Sequence, residues 1–391
     1  MVKPAAVDRP QQFVDKPDQL AACLDDVSRS SRVGLDTESN GFHAYFEKVC
    51  LLQIATPGAD WAIDTLALPL SPLLPLLADP ARECILHAAE YDVLCMKRDY
   101  ALSFGRIFDT HAAAKTLGLA KVGLHDLLAE QLGVELSLDE QRSDWGRRPL
   151  SPEQLQYAFA DVRYLLPLRE KLGEQLESRG LIAEAEAEFA RLVAKEPRPR
   201  EFDPEGWQRM KTARALDGRG RAVLREMYLL RDRRAREVNR PAFKVLSDLF
   251  LAETARRLPK TEAELLRVPG TSPGAVKKIA PQVLAAVHAG MAAPPLARPR
   301  PGGDGQRWRK RSAQGPPPEV EERYERLRAW RRARAEARKV EVQVIAPNAV
   351  LWAIARANPA DLAQLARVDG MDPFRLDQYG SSILKALADV G

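Results

Sequence analysis

The chain has 391 residues, of which 45% are hydrophobic and 29% are charged, and this composition is typical of a globular protein with two or three domains. The N-terminal segment lacks the apolar core of a signal peptide, and no apolar run is long enough to span a bilayer, so we expect neither a secretory nor a membrane protein. The four cysteines lack CxxC spacing, which favours reduced thiols in a cytoplasmic protein. The five histidines lack ligand spacing, which argues against a zinc site.

Charge is divided unevenly along the chain. Residues 1–192 contain 20 Lys and Arg against 30 Asp and Glu, a net charge of −10, whereas residues 193–391 contain 39 against 24, a net charge of +15. An acidic half that needs cations is thus joined to a basic half suited to phosphates. The basic half is also compatible with the solvated surface of arginine-rich helices, and composition alone leaves both interpretations open.

In chain order, the first half predicts an α/β domain, because short apolar runs alternate with helical patterns. We expect strands at residues 32–36, 49–55, 61–64, 83–87 and 107–109. Helical patterns occupy residues 92–99, 124–132 and 152–177. The last of these begins with Ser151, Pro152 and Glu153, an N-cap followed by a proline and an acid in the first turn. The expected fold is a mixed sheet with helices on both faces.

The second half contains an internal repeat, since residues 224–290 and 324–390 align without gaps at an offset of 100. Leu251 matches Leu351, and Gly270 matches Gly370. The pattern is helical throughout, so we predict two duplicated bundles of about five short helices each. Between them, residues 293–318 are rich in Pro, Gly and Arg and predict a flexible basic linker, in which Trp308 either stacks on a base or packs on a helix.

Four acidic residues and a tyrosine fall at spacings that suit metal-dependent chemistry. Asp36 and Glu38 lie two apart at the end of a predicted strand and so share one face. Asp92 lies early in the helix after the strand at 83–87, and Tyr157 and Asp161 lie four apart on one helix face. Converging carboxylates repel one another unless a cation lies between them, and hard divalent ions prefer oxygen ligands. Because two such ions about 3.5–4 Å apart can clamp an attack on a phosphodiester, the pattern predicts a nuclease.

These motifs resemble the DEDD exonuclease superfamily in its tyrosine-bearing branch, and within it the ribonuclease D family. The matching segments are DTE at residues 36–38, HAAEYD ending at Asp92, YAFAD at residues 157–161 and QRSDWGRRPL at residues 141–150. The resemblance covers roughly residues 10–190. The sister branch has a histidine one place further from the last aspartate, where this chain has Gln156. Each repeat resembles an HRDC domain through the turns LRVPG and ARVDG.

The resemblance implies a ribonuclease H-like α/β nuclease domain, a mixed sheet with flanking helices, followed by two all-α HRDC-like helical bundles. The expected divisions are residues 1–197 for the exonuclease domain, 205–291 and 319–391 for the bundles and 292–318 for the linker. The resemblance makes Asp36, Glu38, Asp92 and Asp161 catalytic ligands of two divalent ions, Mg²⁺ or Mn²⁺, and gives Tyr157 the task of orienting the attacking water. A phenol with a reference pKa of about 10 is a poor base at neutral pH, which favours that positioning role.

Substrate contacts are expected from eight residues near these motifs: Asn40, Phe42, His43, Gln53, His87, Arg142, Trp145 and Arg148. For His87 and Trp145 a structural role in the core is an open alternative. Leu138 stands where family members often carry a lysine near the phosphates, so we expect one phosphate contact to be missing.

The function that these features predict is a 3′→5′ exoribonuclease that releases 5′-mononucleotides. Its expected partner is RNA with a free 3′ end, such as a tRNA precursor, and the sequence implies neither a membrane nor an obligate protein partner. One alternative is a DNA exonuclease of the same superfamily. Another is a nucleic-acid-binding protein with a non-catalytic nuclease fold, which would need a missing ligand, whereas all five motif residues are present.

Overall fold

The computed structural model describes residues 8–136, 140–198, 201–298 and 316–388, which form two compact units. The first unit contains the described residues of segments 1–39, 49–197 and 314–391, and the second unit contains those of segments 40–48 and 198–313. The expectations for Leu138 and Trp308 concern positions outside the described residues. The division of the chain at residues 197, 205, 291 and 318 stays a prediction.

Six strands within the described residues of the first unit form one mixed sheet. They are β1 (Gln11–Val14), β2 (Arg32–Ser39), β3 (Val49–Ala55), β4 (Asp60–Asp64), β5 (Glu83–Leu86) and β6 (Ile107–Asp109). Their order is β1-β4-β3-β2-β5-β6, with β3 antiparallel to β2 and β4 and the other neighbours parallel. The mixed sheet is therefore confirmed. The sequence pattern does not predict β1, because four residues at a sheet edge carry too few apolar positions to show an alternation.

Eight helices among the described residues of the nuclease domain accompany the sheet. They are α1 (Pro17–Arg29), α2 (Leu74–Leu77), α3 (Glu90–Tyr100), α4 (Thr110–Thr116), α5 (Leu124–Leu132), α6 (Pro152–Arg163), α7 (Leu165–Ser178) and α8 (Ile182–Val193). The predicted start of α6 is confirmed: Ser151 caps the Gln154 amide, and the Gln154 side chain accepts from the Ser151 amide at 2.9 Å.

The single helix predicted for residues 152–177 is wrong, because the chain breaks at Tyr164 into α6 and α7. In a continuous helix the ring of Pro167 would clash with the carbonyl of Arg163, four residues earlier. A new helix instead begins at Leu165, so that the proline lies in its first turn. The Arg163 carbonyl, released from the helix ladder, accepts a hydrogen bond from Arg9 Nη2 at 2.6 Å.

Gly34 brings the helical layer close to the sheet face that carries the acidic motif. A Cβ atom at Gly34 would lie 3.1 Å from Leu165 Cβ and 3.2 Å from the Val162 carbonyl oxygen. Gly34 shares its strand face with Asp36 and Glu38, because side chains alternate along β2. The missing side chain therefore lets the end of α6 approach the strand that holds both acids.

The two repeats are helical, as predicted. In the second unit the first repeat consists of α9 (Gly218–Glu237), α10 (Ala242–Val245), α11 (Asp248–Arg257), α12 (Glu262–Leu265), α13 (Pro273–Lys277) and α14 (Ala280–Ala292). In the first unit the second repeat consists of α15 (Pro318–Arg338), α16 (Val342–Ile345), α17 (Asn348–Ala357), α18 (Leu362–Leu365) and α19 (Pro373–Ala388). The opening helix of each repeat is longer than expected, with 20 residues in α9 and 21 in α15.

Equivalent positions of the two repeats adopt the same unusual backbone conformation. Leu258 and Asn358 end α11 and α17 with φ of 51° and 46°, and Gly270 and Gly370 have φ of 104° and 78°. All four residues lie in the left-handed region, and the two members of each pair are 100 residues apart, as the repeat requires. Among the described residues, no helix is both long enough and apolar enough to cross a membrane.

Candidate active site

Three of the predicted ligands converge at one place in the first unit. Asp36 and Glu38 project from the same face of β2, and Asp161 lies on the last turns of α6, which covers that face. One carboxylate oxygen from each of the three residues lies within 4.8 Å of the other two. Residues from two elements and more than 120 positions apart thus present oxygen atoms to a common point, as the sequence predicts.

Asp92, in the first turn of α3, lies outside this group of three but acts on it electrostatically. Its Oδ1 atom accepts a hydrogen bond of 2.5 Å from Thr37 Oγ1, and Thr37 stands between the two acids of β2. Burial raises the pKa of Asp92 to about 6, and the hydrogen bond from Thr37 acts against that rise. The charge of Asp92 also contributes to raising the pKa of Asp36 and of Glu38, so the four carboxylates form one electrostatic group.

The other three carboxylates also have raised pKa values. Burial is the main cause for Asp36, whose pKa lies well above its ordinary value, and the charges of Asp92, Asp161 and Glu38 raise it further. Burial and the charges of Asp161 and Asp92 raise the pKa of Glu38 in the same way. Burial raises the pKa of Asp161 to about 7. A cluster of this kind is destabilising without a cation, because the charges repel and solvent cannot screen them.

The residues present fit a divalent cation. All four side chains are oxygen donors, which hard ions such as Mg²⁺ and Mn²⁺ prefer, and no described Lys or Arg forms an ion pair with them. Structural carboxylates elsewhere in this domain are paired instead. Asp60, for example, is buried and binds Arg9 at 2.7 Å and Arg163 at 2.8 Å. The cluster is therefore a metal-site arrangement rather than a set of structural ion pairs.

Tyr157 lies one helical turn before Asp161 on the same face of α6. A hydrogen bond between the two side chains lowers the pKa of Asp161, opposing the effect of burial. Burial, together with the charges of Asp161, Glu38 and Asp36, raises the pKa of the Tyr157 phenol well above its ordinary value. The phenol is thus protonated at neutral pH, so it can donate or accept a hydrogen bond but cannot serve as a general base.

Several of the predicted substrate contacts occupy structural positions. Trp145 is 1% exposed and packs against Tyr157, with ring centroids 6.1 Å apart, so it supports the tyrosine from the core. Arg148 is bound to both carboxylate oxygens of Asp64 at 2.6 and 2.7 Å. The same guanidinium donates to the carbonyls of Trp145, Arg147 and Cys50 at 2.8 Å, which leaves it little capacity for a phosphate. For Trp145 and Arg148 the structure favours packing and ion pairing over the predicted substrate contact.

Gln53 is in the interior of the domain, and His87 is half-buried. Gln53 is 0% exposed on β3, opposite Asp36 of β2, so its side chain has no contact with solvent. Neither polar atom of its amide has a hydrogen-bond partner among the residues that the structure describes. His87 Nδ1 lies 2.9 Å from Thr110 Oγ1, and burial lowers the pKa of this histidine to about 3, which keeps it neutral. Burial speaks against the predicted contact for Gln53, and the bond to Thr110 favours the structural alternative for His87.

The remaining predicted contacts lie nearer to solvent. Asn40 Oδ1 accepts from the Lys48 amide at 2.8 Å and so closes the segment of residues 40–48. Phe42 is 56% exposed, and His43 Nδ1 lies 3.1 Å from Lys244 Nζ. Arg142 is exposed in the loop before α6. For these four residues the substrate role stays a prediction.

Two positioning residues, Thr37 and Asp109, were not predicted. Thr37 lies inside the DTE motif, and this position could have identified it as a residue near the acidic cluster. Asp109 accepts from the amides of Ala88 and Ala89 at 3.1 and 2.9 Å, just before α3. Ala88 has φ of 56°, which is unfavourable for a residue other than glycine, and Asp109 holds this turn in place. The turn aims the first residues of α3, including Asp92, toward β2.

Comparison with known proteins agrees with this site. A family model described as a 3′–5′ exonuclease matches residues 11–177, and a model of the HRDC domain matches residues 220–287 and 320–387. The chain is 33% identical over 293 residues to ribonuclease D of Gluconacetobacter diazotrophicus, covering 74% of each protein. It is 29% identical over 362 residues to ribonuclease D of Pseudomonas paraeruginosa, covering 91% of this chain and 92% of that protein.

The fold is also similar to a solved structure. The crystal structure of Escherichia coli ribonuclease D matches with a TM-score of 0.63 and 24% identity, over 96% of this chain and 98% of that chain. The predicted fold class, an α/β nuclease domain followed by two HRDC bundles, is thereby confirmed. Together with the acidic cluster and its tyrosine, these matches show that the chain belongs to the ribonuclease D family of 3′–5′ exoribonucleases.

Proposed function

We propose that this enzyme trims the 3′ ends of structured RNA, such as tRNA precursors, one nucleotide at a time, with two divalent ions, Mg²⁺ or Mn²⁺. The observation that supports this most directly is the convergence of Asp36, Glu38 and Asp161 within 4.8 Å, next to Asp92 and Tyr157. Three carboxylates around one point, with Asp92 acting on them electrostatically and all four pKa values raised, create a strong demand for positive charge that two divalent ions would supply.

In the proposed mechanism Asp36, Glu38, Asp92 and Asp161 hold the ions. Bound divalent ions supply Lewis-acid polarisation of the phosphate and a lowered pKa for water. The chain itself contributes orientation. The protonated Tyr157 hydroxyl, supported by Trp145, directs the attacking water toward the terminal phosphodiester. Water attacks phosphorus and releases a proton to solvent, the bond to the leaving 3′-oxygen breaks, and that oxygen takes up a proton from solvent. One water is consumed, and the products are a 5′-mononucleotide and a chain shortened by one residue that ends in a 3′-hydroxyl.

Neighbouring residues keep the ligands in position. Thr37 ties Asp92 to β2 through its 2.5 Å hydrogen bond, and Asp109 fixes the turn before α3. Gly34 allows α6 to approach β2, which brings Asp161 beside Asp36. Each of these residues acts on a ligand without touching the substrate, and small misplacements of ligands in such sites cost much activity.

The substrate class rests on the relatives and on charge. The Escherichia coli protein of similar fold is an exoribonuclease involved in structured RNA processing. The strongly basic half of this chain, with 39 Lys and Arg against 24 Asp and Glu, suits the many phosphates of a folded RNA. We also propose a cytoplasmic location, which is supported by four buried free cysteines of the kind found in reducing compartments.

A digestion experiment tests the function. The substrates are an RNA hairpin with a single-stranded 3′ tail, labelled at its 5′ end, and a DNA of the same sequence, each incubated with Mg²⁺, Mn²⁺ or EDTA. We expect a ladder that shortens from the 3′ end of the RNA, with 5′-mononucleotides as the released product, and no reaction in EDTA. Faster digestion of the DNA would favour a DNA exonuclease, and full-rate cleavage in EDTA would contradict the metal mechanism.

A further inference from the structure

The segment of residues 40–48 belongs to the second unit and packs on the first repeat. It begins directly after β2, two residues beyond the metal ligand Glu38. Tyr45 donates a hydrogen bond to Asp232 of α9 at 2.7 Å, and the amide of Phe46 donates to Asn239 at 2.9 Å. The first repeat therefore holds, by specific polar contacts, a segment that the nuclease sequence supplies.

Three phenylalanines are exposed at this place. Phe42 and Phe46 of the segment are 56% and 53% exposed, and Phe243 of α10 is 56% exposed. The contact of His43 with Lys244, at 3.1 Å, links the segment to α10. Single exposed apolar residues are common, whereas several aromatic rings on one surface with polar residues around them form the kind of patch that marks a binding site.

Positively charged residues lie on the same part of the first repeat. The guanidinium of Arg236 lies 5.6 Å from the centre of the Tyr45 ring, and Tyr45 in turn contacts Phe46 edge to face at 5.0 Å. Residues 232–244 contain five Lys and Arg against two Asp and Glu, and Arg236, Arg240 and Lys244 are exposed. Flat apolar rings among positive charges form the surface type that binds single-stranded nucleic acid, whose bases stack on the rings while its phosphates meet the cations.

The second repeat lacks this surface at the equivalent positions. At the offset of 100, Phe243, Lys244 and Arg236 are replaced by Gln343, Val344 and Glu336. The same end of the second repeat is used for packing within the first unit. Arg338 binds the buried Glu184 at 2.8 Å, and Glu341 binds Lys115 at 3.0 Å. The two copies of the domain have therefore diverged in what this face contacts.

We propose that Phe42, Phe46 and Phe243, with Arg236, Arg240 and Lys244, form a stacking surface for single-stranded RNA on the first repeat. This inference rests on the proposed function, because it names a surface that would engage the strand being degraded. Base stacking serves any sequence, since every base has an aromatic face. A trimming enzyme needs that tolerance, because each cleavage brings a new base to every position along the strand.

The test measures affinity separately from cleavage. The probe is a 5′-fluorescein-labelled single-stranded oligoadenylate of 12 residues, titrated with the full-length protein in EDTA and followed by fluorescence anisotropy. Phe46→Ala and Phe243→Ala should each raise Kd by about 5-fold or more, the usual effect of removing one stacking ring. Leu362→Ala removes a similarly exposed apolar side chain from the second repeat and should leave Kd unchanged.

Salt dependence and fluorescence distinguish stacking from charge. The two alanine variants should keep the slope of log Kd against log salt, whereas Lys244→Gln should lower its magnitude by about 0.7, because one phosphate contact is lost. Phe243→Trp should bind as the wild type does, and the added indole emission should be quenched by the oligoadenylate. This variant keeps a ring at the position, so it also serves if Phe243→Ala fails to fold.

Two outcomes would overturn the inference. The first is an equal Kd for the wild type and both alanine variants, and the second is an indole emission in Phe243→Trp that RNA does not alter. Either result would show that the surface does not stack bases and would favour a protein as its binding partner. The proposed function fails differently: the wild type would release no 5′-mononucleotides in Mg²⁺ or Mn²⁺. Because affinity is measured in EDTA, either failure can be recognised without the other.

Discussion

Thr37 Oγ1 donates a 2.5 Å hydrogen bond to Asp92 Oδ1 and so joins the strand that carries two of the proposed metal ligands to the helix that carries a third. Thr37 is 8% exposed and Asp92 is 6% exposed, so water does not compete with this bond. The bond thereby links β2 to α3 at the acidic cluster.

Thr37→Val tests this link, because it keeps the shape of the side chain and removes the donor. Losing a buried hydrogen bond to a charged group costs roughly 1.5–3 kcal/mol, so kcat/KM should fall by about 10- to 100-fold. Thr37→Ser, which keeps the hydroxyl, should retain most of the activity. The affinity for Mn²⁺, measured by calorimetry, should weaken in the valine variant alone. Equal affinity in the valine and serine variants would show that the Thr37 hydroxyl does not position Asp92.

Asp36→Asn and Asp161→Asn should abolish most activity while stabilising the metal-free protein. Each removes one charge from a group whose members raise one another's pKa. We expect activity to fall by about 10³-fold, similar to the loss of a key preorganised electrostatic group. In EDTA the melting temperature should rise, which excludes misfolding as the cause. Asp25→Asn, an exposed aspartate of α1 bound to Arg29, is the control and should change neither quantity.

Tyr157→Phe should lower kcat more than it changes KM. The substitution removes the hydroxyl and keeps the ring that packs on Trp145 at 6.1 Å. A water that is no longer oriented reacts more slowly, whereas substrate binding is unaffected, so kcat should fall by roughly 10- to 100-fold at similar KM. Steady-state kinetics on a short RNA measures both constants. An unchanged kcat would make Tyr157 a packing residue only.

The stability of the metal-free protein should rise as the pH falls from about 8 to about 6.5. Burial raises the pKa of Asp161 to about 7 and that of Asp92 to about 6, whereas the unfolded chain keeps an aspartate pKa of about 3.9. As the pH falls, the folded protein therefore binds protons at a higher pH than the unfolded chain does, and this proton binding stabilises the folded state. Saturating Mg²⁺ should reverse the trend, because the ions bind the ionised carboxylates.

His87 acts in the opposite sense at lower pH. Burial lowers its pKa to about 3, so the folded protein resists protonation of this histidine below its ordinary pKa of about 6.5. The comparison is therefore made between the wild type and Asp161→Asn, in which His87 is unchanged. Melting temperatures in EDTA should converge as the pH falls from about 8 to about 6. Parallel curves would contradict the raised pKa of Asp161.

Gln53→Met should stabilise the protein. The Gln53 amide is 0% exposed and has no hydrogen-bond partner among the described residues, so it bears a desolvation cost that an apolar side chain of similar volume avoids. A gain of about 1–3 kcal/mol in the free energy of unfolding is expected in EDTA. Denaturant titration measures it, with Gln53→Glu expected to destabilise. A loss of stability on substitution by methionine would show that the amide is satisfied in the folded protein.

The local patterns in the sequence determined most of the strands and the placing of the candidate ligands on them and on α6. Alternating and continuous apolar runs indicated five of the six described strands, and the Ser151 start of α6 was correct to the residue. The spacing of Asp36 and Glu38, and of Tyr157 and Asp161, placed each pair on one face before any tertiary contact was known. These features are local, because strand and helix periodicities depend only on neighbours along the chain.

The tertiary structure decided how those ligands meet and which other residues take part. Nothing in the sequence pattern marks Gly34 as important, yet its missing side chain lets α6 pack closely on β2. Gln53, Trp145 and Arg148 have the chemistry of substrate contacts, but Gln53 and Trp145 are buried and Arg148 is paired with Asp64. Docking of residues 40–48 on the first repeat depends on contacts such as Tyr45 with Asp232, 187 positions apart. Periodicity cannot encode such contacts, because they form only when distant segments pack.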